Sequence, residues 1–180
     1  MRSKILILAV VLASGTGLAR VSNRHVGLFR AFRTNLAFAT LGSVSAMPGT
    51  ISFQANNPDS GRVSGLSPSN LTWIALGGSH LANWTLNVQA GSSAFVGCPT
   101  IPVSAIQVSC GTATVSGGGG TGACSGSFPL STTGQQIAGG AEGDGTNSYS
   151  VSVNFSLAES WRYVAGSSCT ISLTYSVNAP

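Results

Sequence analysis

The chain has 180 residues, 43% of them hydrophobic and 7% charged, with a formal net charge of +4. That length suits one domain with a core of its own. Four acidic residues and two histidines leave too few ionisable groups for hydrolases or transferases that use several of them, so the reading is a protein that is not an enzyme and needs no cofactor.

The first element is an export leader. Arg2 and Lys4 precede the apolar run Ile5 to Leu12, and small residues follow to Ala19, a signal-peptide pattern. A second basic stretch, Arg20 to Arg33, then precedes the apolar Leu36 to Leu41 and the small-x-small sequence Val44-Ser45-Ala46. A cut after Ala19 and a cut after Ala46 both fit; the second is preferred, since it removes every basic residue of this region and starts the body before its first strand-like run. The expected division is a leader over 1–46 and a single domain over 47–180. Neither apolar run reaches the ~20 residues of a membrane-spanning helix, so no transmembrane helix is expected in the mature chain.

The charge follows the same division. Of the eight basic residues, six lie at or before Arg33; from Met47 onward Arg62 and Arg162 stand against Asp59, Glu142, Asp144 and Glu159, so 2 minus 4 gives −2. The body has no basic footprint for nucleic acid.

Within the body the hydrophobic period is two. In chain order, strands are expected over Thr50 to Ala55, Leu71 to Leu76, Trp84 to Ala90 and Val103 to Ser109. Shorter ones follow at Gly111 to Ser116 and Ser125 to Leu130, then longer ones at Ser148 to Leu157 and Thr170 to Val177. The clearest alternation sets Tyr149, Val151, Val153, Phe155 and Leu157 against serines and Asn154. Asn56 to Asp59, Gly77-Gly78, Gly117 to Gly120 and Gly139 to Gly145 read as turns and loops. One apolar and one hydroxyl- or amide-bearing face per strand is the pattern of an all-β fold, an antiparallel β-sandwich of Greek-key-like type.

Cys98, Cys110, Cys124 and Cys169 all lie in the body, with no CxxC pair and with His80 far away in sequence, which points to two disulfides rather than a metal site. Spacing allows three pairings; Cys110 with Cys124, across a hairpin, and Cys98 with Cys169, tying a loop to the last strand, are favoured. Gly117 to Gly122 lacks the Lys and the following helix of a phosphate loop. Glu142, Asp144 and Asn147 offer three oxygen groups in a Gly-rich loop, too sparse for a Ca²⁺ loop. No Gly-x-Ser-x-Gly elbow occurs.

The aromatic pattern is more specific. Trp84-Thr85-Leu86 sits in one alternating strand, and the chain closes on Leu173-Thr174-Tyr175-Ser176-Val177 and Ala179-Pro180, after Ala165-Gly166. This arrangement resembles the WxL family of bacterial cell-surface domains, in which an internal Trp-x-Leu strand pairs with a C-terminal Leu-Thr-Trp-x-Leu strand; here Tyr replaces Trp and Val replaces Leu in the second motif. The resemblance implies a secreted, β-rich protein held non-covalently at the cell surface by peptidoglycan or another surface glycan. The candidate contact residues are Trp84, Leu86 and Tyr175, with Trp73 and Trp161 as stacking surfaces if they lie at loop ends. Trp84 and Leu86 share a face with Val88, however, which equally describes core. The alternative role is a structural subunit of a surface filament or coat, with other surface-protein subunits as partners, joined through an edge strand such as Thr50 to Ala55.

Overall fold

A computed structural model describes residues 8–13, 45–48, 51–53, 61–77, 83–158 and 169–178. They form an all-β sandwich. One sheet contains β1 (Leu8–Ala13), β13 (Cys169–Asn178), β5 (Asn83–Ala90), β11 (Gln135–Ala141) and β9 (Ala123–Cys124), in that spatial order. The other runs β10 (Phe128–Pro129), β8 (Ile106–Ser116), β12 (Gly145–Ala158), β4 (Ser69–Gly77) and β2 (Ser45–Met47), with β3 (Arg62–Ser64) on the far end of β12. A small ribbon of β6 (Ala94–Phe95) and β7 (Cys98–Pro102) completes the described strands.

The alternation that defines the strands also fills the core. Leu71, Trp73 and Ala75 of β4, Val108 of β8, and Tyr149, Val151, Val153, Phe155 and Leu157 of β12 are buried on one sheet. Trp84, Leu86, Val88 and Ala90 of β5, Ile137 and Ala138 of β11, and Ile171, Leu173 and Tyr175 of β13 are buried on the other. The intervening serines, threonines and asparagines face water, so each strand is amphipathic without charge.

From β4 onward, and leaving the β6–β7 ribbon aside, the chain changes sheet at every connection: β4, β8, β10 and β12 lie in one sheet, and β5, β9, β11 and β13 in the other. This corrects the hairpin expected across Val115 to Gly122. β8 and β9 belong to opposite sheets, and the Cys110–Cys124 disulfide joins the sheets across the fold, with Cα atoms 5.4 Å apart. Three successive glycines at positive φ, Gly117 (96°), Gly118 (50°) and Gly119 (75°), let the chain turn there. The second disulfide, Cys98–Cys169, also with Cα atoms 5.4 Å apart, fixes the ribbon to the start of β13. Both pairings are those favoured from the sequence.

Several boundaries differ from expectation. Val103 to Ser109 and Gly111 to Ser116 are one strand, preceded by a 3₁₀ turn at Val103–Ala105. The apparent break is a bulge, because Ser152 pairs with Thr112 and Val153 with Cys110, leaving Gly111 as the extra residue. Gly139 and Gly140 are not loop but β11. A Cβ on Gly139 would stand 2.8 Å from the Trp84 carbonyl oxygen, and one on Gly140 would collide with Thr121, so the glycines let neighbouring backbone approach closely. Ser125 to Leu130 yields only the two-residue β10. Of Thr50 to Ala55, residues 51–53 are described and form no strand: Ile51 and Phe53 are buried core, and Phe53 makes a single bridge to Gly65. Two pieces of the segment read as leader lie on the sheets, as β1 and β2. The turn at Asn56 to Asp59 falls outside the described residues.

Candidate interaction edge and aromatic core

The described residues nominated as glycan contacts lie in the interior. Trp73 is 3% exposed, Trp84 1% and Tyr175 8%, and Leu86 is fully buried. Trp73 stands in mid-strand, where Leu71-x-Trp73-x-Ala75 directs it inward with its neighbours, so it offers no loop-end stacking surface. Trp161 and His80 lie outside the described residues.

Three aromatic rings instead bind the sheets together. Trp73 stacks on Tyr149 with centroids 5.0 Å apart and planes 3° apart, and Trp84 of the opposite sheet meets both edge-on, at 5.5 Å and 5.4 Å. Edge-to-face contacts of this kind set the positive rim of one ring against the negative face of another. The indole Nε1 of Trp84 donates to the Thr121 carbonyl at 3.0 Å, which satisfies its one polar atom. Burial pushes the Tyr149 phenol up, with the Glu142 carboxylate adding to the shift, and burial likewise pushes the Tyr175 phenol up.

The Gly-rich loop after β11 is organised by Asn147, fully buried, whose Nδ2 donates to the carbonyls of Gly143 (2.8 Å) and Gly145 (3.1 Å). Glu142 is buried while Asp144 is exposed, so the loop's oxygen groups are divided between interior and solvent. Among the described residues no three His, Cys, Asp or Glu side chains converge as a metal site. No helix among them is long and apolar enough to cross a membrane.

The surface feature with chemical capacity is an edge. β5 and β13, which carry the Trp84-Thr85-Leu86 and Tyr175-Ser176-Val177 motifs, are antiparallel neighbours, with Tyr175 opposite Val88 and Val177 opposite Leu86. On the β5 side, the Ser172 carbonyl accepts from Gly91 N–H at 2.9 Å, and Thr170 exchanges hydrogen bonds with Val96 at 2.8 and 3.0 Å. Main-chain groups alternate sides along a strand. Those of Cys169, Ile171, Leu173, Tyr175 and Val177 therefore point to the opposite edge. There β1 lies parallel to β13, from Leu8 opposite Cys169 to Ala13 opposite Thr174. It covers the first half of the edge and leaves the Tyr175 and Val177 groups beyond its end.

β13 is ten residues long and contains no charge and no proline. Edge strands that avoid pairing are short, charged or interrupted. β1, the strand that ends this sheet beside β13, is six uncharged residues, whereas the ends β9 and β10 have two residues each and β2 has three. The sequence nominated Thr50 to Ala55 as an edge and passed over β13, although the charge-free composition of Cys169 to Asn178 was a usable signal. Comparison with protein-family models, characterised proteins and solved structures finds no match for this chain.

Proposed function

We propose that this protein is an exported structural subunit of a surface filament or coat, assembled by adding a strand of another subunit to β13. The observation that carries the reading is the long, uncharged β13 edge, which already accepts a parallel strand drawn from the N-terminal segment read as an export leader. Loss of that leader leaves five residues with main-chain donors and acceptors turned to the edge, a template for strand addition. Two disulfides support an oxidising location outside the cytoplasm. The alternative, adhesion to peptidoglycan or another surface glycan, drew on aromatic contact residues, and the described ones are committed to the core. In the assembly reading the two WxL-like motifs supply adjoining strands whose side chains fill the core, and the contact is the main-chain edge of β13.

Exported protein examined by sedimentation and negative-stain microscopy should form high-mass assemblies in the absence of cell-wall material. Ser172→Lys/Ser176→Lys places two like charges on exposed positions of β13 and should reduce the assemblies to monomer with folding unchanged. A wild-type protein that stays monomeric and pellets only with purified peptidoglycan would overturn the proposal in favour of wall adhesion.

A further inference from the structure

We infer that the strand added to β13 is the Leu36–Leu41 run in the basic N-terminal arm of a second copy, an inference that rests on the assembly reading above. The place beside β13 takes a parallel strand of six residues, and its present occupant, Leu8–Ala13, lies before both candidate cleavage sites. Either cut vacates it. The structure then distinguishes the two cuts: one after Ala46 would remove two of the three residues of β2, which pairs with β4 through Ser45–Thr72, Ala46–Leu71 and Met47–Asn70. A cut after Ala19 keeps β2 whole and leaves an arm from Arg20 to Val44.

That arm has the properties the seat requires. Leu36-Ala37-Phe38-Ala39-Thr40-Leu41 is six residues long, uncharged and free of proline, like the strand it would replace. The arm also carries Arg20, Arg24, Arg30 and Arg33 with no acidic residue, +4 in all, against the −2 of the body from Met47 onward. Opposite charge draws the arm of one copy to the body of another. The assembly reading places the arm on the β13 of a neighbouring copy; an arm docked on its own β13 would instead leave the protein monomeric, so the state of assembly separates the two. Each copy then has one donor and one acceptor, a head-to-tail relation that builds a filament unless its rotation closes a ring.

The test uses the protein as exported, the variant Leu36→Glu/Phe38→Glu, and a fluorescein-labelled peptide spanning Thr34 to Val44. The mature chain should begin at Arg20 by mass. The arm variant should remain monomeric with an unchanged circular-dichroism spectrum, and its free β13 should bind one labelled peptide per chain. Adding Ser172→Lys/Ser176→Lys to it should weaken that binding by about tenfold or more, and a scrambled peptide should not bind. If the arm variant assembles like wild type while Ser172→Lys/Ser176→Lys alone does not, the arm is the wrong occupant and assembly through β13 stands. Assembled protein that begins at Met47 has lost the arm and likewise overturns this inference alone. If both variants assemble, assembly through β13 itself is refuted.

Discussion

Replacing Trp84 by Ala tests whether the aromatic residues hold the sandwich together. Trp84 is 1% exposed and touches Trp73 and Tyr149, both of the opposite sheet, edge-on at 5.5 Å and 5.4 Å. Truncating a buried Trp to Ala costs ~3–5 kcal/mol through lost transfer energy and the cavity left behind. Two edge-to-face pairs at ~0.5–1.5 kcal/mol each overlap with that figure and place the expectation at its upper end, ~4–5 kcal/mol. The Thr121 carbonyl that loses the indole donor is part-buried against Gly140, so leaving it unpaired adds to the loss and also favours the upper end. Against a total stability of ~5–15 kcal/mol, such a loss removes roughly a quarter or more. At ~4 °C per kcal/mol for a domain of this size, melting should fall by roughly 15–20 °C. Guanidinium unfolding followed by far-UV circular dichroism avoids a readout that depends on the deleted fluorophore. A Trp84→Ala protein within about 1 kcal/mol of wild type, yet unable to bind peptidoglycan that the wild type binds, would refute the core assignment and restore Trp84 as a surface contact.

Other expectations follow from the same geometry. The disulfides close loops with sequence separations of 71 (Cys98–Cys169) and 14 (Cys110–Cys124), so by loop entropy they stabilise by about 4.4 and 3 kcal/mol. Urea unfolding of the two Cys→Ser pairs should therefore show the larger loss at Cys98/Cys169, and the reverse order would count against a loop-entropy origin. Tyr149 and Tyr175 titrate above their ordinary value of 10.0 when folded, so the folded state holds phenolic protons that the unfolded state releases. Their contribution is intact below pH 10 and is lost as pH rises through the higher folded values. Stability measured against pH should thus fall above about pH 10, and Tyr149→Phe/Tyr175→Phe should flatten that decline; an unchanged slope would assign it to other groups. Gly140→Ala forces a methyl against the Thr121 backbone and should destabilise by ~1–3 kcal/mol, while Gly126→Ala, with nothing within 4 Å, should be nearly neutral in the same melts.

While β4 and the two halves of β8 were legible more weakly, the strands clearest in the sequence were those in which a large apolar residue occupies every second position: β5, β12 and β13. There the period of two suffices, because a strand buried on one face has no other way to arrange such residues. β11 was not visible, since its core-facing side is built partly from glycines, whose service is to let the backbones of Trp84 and Thr121 come close, a relation between distant segments. The bulge at Gly111 was read as a break for a related reason: an extra residue reverses the alternation while the strand goes on. The interior position of Trp73 was legible in Leu71-x-Trp73-x-Ala75. What made β13 a candidate site was its place next to the end of its sheet, with only β1 beyond it, and strand order is fixed by which faces pack, information that local pattern does not hold.

The repeated crossing between sheets bears on when the molecule can fold. β12 lies between β8 and β4, and β13 lies beside β5, yet both come from the last 36 residues, Gly145 to Pro180. A chain still emerging at Asp144 has β4 and β8 but nothing to join them, and β5 has only β11 on one side. Half of the described strand pairings, the two longest among them, thus wait for β12 and β13, and contacts of such long sequence separation form slowly. The order of strands acts as a delay: β4, β5 and β8 wait for β12 and β13, and Cys98 waits for Cys169 at the start of β13, before the sandwich can close.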